Sequence, residues 1–205
     1  MRNASIILVV SLVATTALAN DEARLEALEK RVQQLEERVA LLASSTAPVV
    51  AKAEAEQRVN QQRTRAGERM QKDSTVYSRE QLREIEDLYQ VANRNWQSQE
   101  AKDSLKKLVQ KFDKANRTGC ALLYLGQMSS GEEKEDYLQK AIKDFSDCYY
   151  GDGVQVGAYA RYHLAYYYKE TVQEERAEEL FKEIRTKYPD AIDHKGRFLA
   201  DLMDN

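Results

Sequence analysis

Tyrosines, two histidines and two cysteines are the side chains of this sequence whose chemistry could serve catalysis or binding. The chain has 12 tyrosines, but its histidines are only His163 and His194. No metal-ligand cluster, glycine-rich phosphate loop or nucleophile motif accompanies them, and no carboxylate pair has a defined acid/base spacing. His163 stands beside Leu164 and Ala165, where we expect a half-buried structural imidazole rather than a ligand. The pattern predicts a protein that is not an enzyme and uses no cofactor or metal.

The tyrosines are concentrated in residues 158–170, which read AYARYHLAYYYKE. Three of them recur at spacings of three and four, so they share one helical face, and a lysine extends the stripe. Aromatic side chains are favoured in protein-recognition hot spots. We therefore predict a partner-binding groove lined by Tyr159, Tyr162, Tyr166 and Lys169. The alternative is that the C-terminal residues fold over these rings. Tyr168 is predicted to pack in the core.

Cys120 and Cys148 fall at the start of one predicted helix and near the end of the next. In an antiparallel hairpin those two ends are neighbours. An exported protein can keep a disulfide, and closing this loop would stabilise by roughly 3 kcal/mol. Two small buried thiols that pack separately are the alternative.

A helical repeat must position these residues. In the third copy Leu164 and Ala165 are followed by Ala177, Phe181 and a terminal Pro189, the spacing of a tetratricopeptide repeat built from two antiparallel helices. Leucines at 88, 125 and 164 mark three copies. Ser78 and Gln81 form a capping box that would begin the first copy. We predict a repeat domain over 78–205, with a polar-faced capping helix at 191–203.

Residues 20–43 carry the seam of a coiled coil, because apolar residues recur at alternating spacings of three and four. Charged residues flank the seam in positions that pair Arg24 with Glu29 and Arg31 with Glu36 between parallel strands. The pattern predicts self-association as a parallel dimer or trimer, and one amphipathic helix docked onto its own domain is the alternative. The seam consists of Leu25, Leu28, Val32, Leu35, Val39 and Leu42.

The remaining segments are polar or are expected to be removed. Residues 1–19 have the basic start, apolar stretch and small-residue cleavage site of a secretory signal peptide, with an uncleaved signal anchor as the alternative. Residues 44–48 read SSTAP and predict a helix break, and 44–77 contain few large apolar residues, which predicts a polar linker. After cleavage no integral membrane span is expected, and the net charge of −3 does not suggest nucleic-acid binding. High charge with 8 glycines and 2 prolines favours an all-α chain.

A signal peptide, a short coiled coil, a polar linker and three C-terminal repeats resemble, in that order, the periplasmic cell-division coordinator family of the Tol-Pal system. The repeat at 161–191, RYHLAYYYKETVQEERAEELFKEIRTKYPDA, is similar to that family's repeat. The resemblance implies trimers through the coiled coil and repeats that contact an envelope protein, TolA. Two of the three repeats lack the terminal proline, one turn is enlarged and the linker is atypical.

The sequence as a whole predicts a non-catalytic periplasmic scaffold that self-associates and binds an envelope protein. The resemblance implies that this partner is TolA-like and that the scaffold takes part in cell division and outer-membrane constriction. One alternative is a structural spacer or outer-membrane assembly factor that captures no peptide. Another is an envelope protein whose tyrosines stack on carbohydrate.

Overall fold

In a computed structural model of the protein, the backbone is described for residues 3–203 and the side chains for 24–42, 49 and 52–203. Within these residues the structure is helical and has no strand beyond two isolated bridges, Tyr149 with Gln155 and Ile192 with Phe198. The all-α prediction is confirmed for this part of the chain.

The helices follow one another with short connections, and each from α2 to α8 contacts the next along the chain. The first helices of successive hairpins also touch, α2 with α4 and α4 with α6. The chain divides into two compact units, Met1–Glu54 and Ala55–Asn205. The helices are α1 (Asn3–Asp73), α2 (Arg79–Arg94), α3 (Gln99–Lys111), α4 (Asn116–Met128), α5 (Gly131–Asp144), α6 (Val156–Glu170), α7 (Glu174–Lys187) and α8 (Leu199–Leu202).

The first unit contains the predicted seam, and its apolar side chains face solvent in the single chain. Their exposed fractions run from 51% at Leu35 to 64% at Val39. A helix with an uncovered apolar stripe has no core of its own to bury it. The signal-peptide prediction concerns residues 1–19, whose side chains lie outside the described part of the structure. Among the residues that are described, no helix is both long and apolar enough to cross a membrane.

The predicted helix break at 44–48 is absent, because α1 continues to Asp73. The polar linker predicted for 44–77 is helical up to that residue. Alanine, glutamine, glutamate and arginine dominate this stretch, and all four have high helix propensity. Its last part also packs. Gln62 is 2% exposed and Ala66 is fully buried. The shortage of large apolar residues does not prevent packing here, because a helix that lies on loops needs small residues and hydrogen-bonding side chains instead.

Three helical hairpins form the core of the second unit, from α2–α3, α4–α5 and α6–α7. Small residues allow close approach within them, since Ala101, Ala141 and Ala177 are fully buried. At Gly126 a Cβ atom would lie 2.7 Å from the Leu138 side chain, so only glycine fits that crossing. The predicted capping box is confirmed, because Gln81 N donates to Ser78 Oγ and Ser78 N donates to Gln81 Oε1.

The predicted capping helix at 191–203 is much shorter in the structure, where only Leu199–Leu202 is helical. Asp193 Oδ1 accepts hydrogen bonds from the backbone amides of Lys195 and Arg197, each at 2.9 Å. Gly196 between them has φ +77°, a conformation that suits glycine. A tight turn therefore occupies the first half of this segment.

Candidate functional site

A cavity of about 320 Å³ lies where the first helices of the three hairpins meet. Helix α2, the α2–α3 turn, α4, α6 and the C-terminal turn each contribute to its wall. Most of the wall is aromatic or carries an amide, which is the usual lining of a ligand pocket. We call this cavity the aromatic pocket. It is lined by Ala92, Asn93, Trp96, Tyr124, Gln127, Tyr159, His163 and His194.

Trp96 is the only tryptophan of the chain and is 43% exposed. It lies in the turn after α2, and within the described residues no hydrogen bond or ring contact holds its indole. Tyr124 is more firmly held, because its hydroxyl donates to Asn93 Oδ1 at 3.1 Å. Burial raises the pKa of the Tyr124 phenol, which therefore stays neutral and polar at its tip. The pocket thus combines one accessible indole with a fixed phenol.

His163 forms part of the opposite wall and is half-buried, as the sequence predicted. Its Nε2 atom lies 3.0 Å from Gln127 Nε2, and the Tyr159 ring stands edge-on at 4.6 Å. Burial, with smaller effects of Lys134 and His194, lowers the pKa of His163 to about 4. The imidazole is therefore neutral near pH 7 and accepts a hydrogen bond from the Gln127 amide.

His194 closes the pocket from the C-terminal turn, and its Nδ1 lies 2.8 Å from Asp152 Oδ2. Burial opposes ionisation of Asp152, but His194 and backbone amides outweigh it and hold the pKa of this carboxyl below its usual value. The described lining residues include no lysine, arginine, aspartate or glutamate, so Asp152 acts on the pocket only through His194.

Tyr150 supports two of the lining residues from inside the protein. Its ring is 4% exposed and stands edge-on to Tyr124 at 5.7 Å and to His194 at 4.9 Å. The Tyr150 hydroxyl donates to the carbonyl of Cys120 at 3.1 Å. The positions of Tyr124 and His194 therefore depend on the connection between α5 and α6, which carries both Tyr150 and Asp152.

The predicted tyrosine stripe forms one continuous row on α6. Tyr159 is stacked on Tyr162 with ring centroids 6.0 Å apart, and Tyr162 meets Tyr166 at 4.8 Å. All three rings are half-buried. Only Tyr159 lines the aromatic pocket. The row is therefore a side wall that leads away from the pocket.

The far end of the row is held by the C-terminal residues. The Tyr166 hydroxyl donates to the carbonyl of Leu202 at 3.1 Å, and its ring stands edge-on to Phe181 at 5.4 Å. Lys169 is exposed, with its Nζ 5.9 Å from the Tyr166 ring. The C-terminal residues therefore cover the Tyr166 end of the row, which agrees in part with the alternative that they fold over these rings.

Both cysteines are free and buried. Cys120 Sγ lies 3.4 Å from the carbonyl of Tyr149, and Cys148 Sγ lies 3.4 Å from Arg69 Nη2. Burial raises the pKa of the Cys120 thiol to about 12 and also raises that of Cys148. Unionised thiols in such surroundings are poor nucleophiles. The two thiols therefore pack separately, which is the alternative to a disulfide.

Sequence reasoning did not identify Trp96, Tyr124 or His194 as lining residues. A signal for Tyr124 was present, because it precedes Leu125 as His163 precedes Leu164 in the next copy. Equivalent repeat positions thus place both side chains in the pocket. Trp96 and His194 lie in turns, where helical spacing gives no indication of direction.

The described residues include no group of three or more histidine, cysteine, aspartate or glutamate side chains that could hold a metal ion. The pocket has rings, amides and hydroxyls, which suit an apolar or aromatic side chain with a polar edge. Comparisons with family models, curated proteins and solved structures gave no match for this chain.

Proposed function

We propose that this protein is a non-catalytic, exported scaffold that self-associates through the 25–42 seam and binds an envelope protein through its repeat domain. The partner inserts a side chain into the aromatic pocket and lies along the tyrosine row. The repeats are of the tetratricopeptide type, and the resemblance described above favours a TolA-like partner in the periplasm, with a part in cell division.

The observation that carries this proposal is the convergence of all three first helices on one aromatic pocket. A chain whose hairpins only stack has no need of an exposed indole beside fixed tyrosine and histidine rings. Large rigid aromatics contribute contact area with little loss of side-chain entropy, which is why they dominate binding hot spots. Among the described residues no serine, threonine or cysteine side chain hydrogen-bonds the imidazole of the His194–Asp152 pair, so that pair has no nucleophile to activate.

The seam supports the self-associating part of the proposal. Six apolar side chains at least half exposed would be covered by a second copy, and the flanking arginines and glutamates are complementary in a parallel pairing. The strand number stays open between two and three.

Photo-crosslinking tests the binding proposal directly. A benzophenone amino acid is placed at Trp96 in cells, with the exposed Gln110 on α3 as the matched control position. We expect a discrete envelope-protein adduct from position 96 and none from 110. A purified TolA-like periplasmic domain is then titrated against the full chain, with Trp96→Ala as the comparison. Equal adducts from both positions, or equal binding by both proteins, would contradict the proposal.

A structural spacer is the second candidate, and the Tyr166–Leu202 hydrogen bond favours it. That bond uses one member of the tyrosine row inside the fold. For a spacer, position 96 would give only adducts between copies of this chain, whereas a partner-binding scaffold gives adducts with another protein.

A further inference from the structure

The last part of helix α1 belongs to the second unit and has a regular face that packs on the rest of that unit. Its members are separated by three or four residues and so lie on one side of the helix. They are at least partly buried, with Gln62, Ala66 and Asp73 among the most buried residues of this stretch. We call this the docking face, and it consists of Val59, Gln62, Ala66, Arg69 and Asp73.

The docking face contacts the first residue of α4 and the connections that follow α3, α5 and α7. At its C-terminal end Asp73 Oδ2 accepts from the backbone amide of Asn116, at 2.8 Å. Arg69 Nε lies 3.0 Å from Asp147 Oδ2, and its Nη1 lies 2.7 Å from Asp73 Oδ1. Farther back, Gln62 Nε2 donates to the carbonyl of Asp190 at 3.0 Å. One helix thus reaches three successive connections.

The connection at 145–155 receives the most of these contacts. Besides Arg69, the α1 backbone lies so close to Gly153 that a Cβ atom there would be 3.0 Å from Arg63 N. Asn116, held by Asp73, binds both backbone groups of Tyr149 through its side chain, at 2.7 and 2.8 Å. Helix α1 therefore holds this connection at both ends.

The same connection carries the two residues that support the pocket wall. Tyr150 follows Tyr149 and packs on Tyr124 and His194, and Asp152 precedes Gly153 and pairs with His194. The chain of contacts is unbroken from α1 to the pocket. By contrast, His163 is held by Gln127, Tyr159 and Tyr162, none of which belongs to the connection, and only Tyr159 of these also contacts His194.

We infer that the docking face of helix α1 is a positioning element of the aromatic pocket, acting through the 145–155 connection on His194 and Tyr124. Arg69 and Asp73 are its positioning residues, and Gly153 is where the backbone of the connection lies against α1. The inference rests on the pocket being the binding site of the proposed function, but its test needs no partner.

The two histidines of the chain allow this to be measured. His194 contacts the 145–155 connection, and His163 does not. Imidazole proton signals are recorded by NMR on the full chain at pH 7. Asp73→Ala removes the contact to Asn116, and Arg69→Ala removes the contacts to Asp147 and to the carbonyl of Lys114. Glu68→Gln and Lys72→Ala, both exposed on α1, are the matched controls.

We expect Asp73→Ala and Arg69→Ala to shift the His194 signals, since the Tyr150 and Tyr159 rings lie 4.9 and 5.3 Å from that imidazole. The His163 signals should move much less, and both controls should match the natural protein. Asp73→Asn, which keeps an acceptor oxygen, should give a smaller shift than Asp73→Ala. If Asp73→Ala does not fold, Arg69→Ala decides alone.

Unchanged His194 signals in the folded variants would overturn the inference. So would His163 signals that move as far as those of His194, because a general loosening would then explain both. If the His194 signals of the variants shift as expected but the full chain binds no partner, the proposed function fails and this inference does not. The two failures are therefore distinguishable.

Discussion

Asp73, the last residue of helix α1, accepts a hydrogen bond from the backbone amide of Asn116, the first residue of α4, at 2.8 Å. The N-cap position of α4 is Ala115, which offers no side-chain hydrogen bond. The first amides of a helix have no partner within it and are normally satisfied by a nearby oxygen. A residue 43 positions earlier in the chain therefore caps this helix.

Replacing Asp73 by alanine should destabilise the second unit by about 2 kcal/mol, because a cap is lost and Arg69 loses its closest carboxylate. Asp73→Asn should cost less, since it retains a capping oxygen. Urea unfolding followed by circular dichroism measures both values, with Glu68→Gln as the control. Equal stability of Asp73→Ala and the natural chain would show that Asp73 is not an effective cap.

Val172 is expected to be a site where substitution stabilises the protein. It follows α6 with φ +60° and is 83% exposed, so a β-branched side chain occupies a left-handed conformation without packing. Such a conformation costs roughly 1–2 kcal/mol for a residue with a Cβ atom. Val172→Gly should raise the free energy of unfolding by about 1 kcal/mol, and Val172→Ala by less. A lower melting temperature for Val172→Gly would refute this.

The stability should depend on pH through His163. Its ordinary pKa of 6.5 is lowered to about 4, chiefly by burial. The unfolded chain therefore binds a proton more readily, and stability is complete above pH 6.5 and falls as the pH drops towards 4. By pH 4.5 the loss from this group should be about 2 kcal/mol.

The variant His163→Asn isolates that effect, because other groups with lowered pKa values are common to both proteins. Denaturant unfolding at pH 7 and pH 4.5 should show a smaller loss in the variant. The same pH dependence in both proteins would contradict a neutral buried imidazole.

Self-association through the seam should depend on the charged residues that flank it. Arg31→Glu places like charges opposite each other in a parallel coiled coil and should weaken the assembly, and Arg31→Glu combined with Glu36→Arg should restore it. Light scattering after size exclusion gives the mass. Leu35→Lys should yield monomers with an unchanged repeat domain. An unaltered mass for Leu35→Lys would exclude the seam as the interface.

The thiols give a direct test of the pair Cys120 and Cys148. Iodoacetamide should leave both unmodified in the folded protein because they are buried and unionised, and should modify both in urea without reductant. Mass spectrometry counts the adducts. A chain that stays unmodified in urea until a reductant is added would contain the disulfide.

Much of the second unit was accessible to sequence reasoning, because helical spacing determines which residues face the core. Ala101, Ala141 and Ala177 were predicted from repeat register and are fully buried. The capping box at Ser78 was likewise a local signal. Local and periodic features are the ones that spacing can reveal.

The contribution of α1 was missed for a physical reason. Its docking face is built from one valine, one alanine and three polar residues, whose hydrogen-bond partners lie mostly far away in the sequence. Spacing alone does not distinguish Gln62 and Arg69 from solvated residues. Trp96 and His194 were missed because turns, unlike helices, impose no period on the direction of a side chain.

Asn116, Arg117 and Thr118 together match the acceptor sequence for N-linked glycosylation. The Asn116 amide is fully buried and bound on both sides to Tyr149, and the Thr118 hydroxyl donates to the carbonyl of Phe112. A sugar attached before folding would occupy the space between α4 and the 145–155 connection and block both bonds. Secretion from a eukaryotic host is therefore expected to yield misfolded glycoprotein, and bacterial expression avoids the modification.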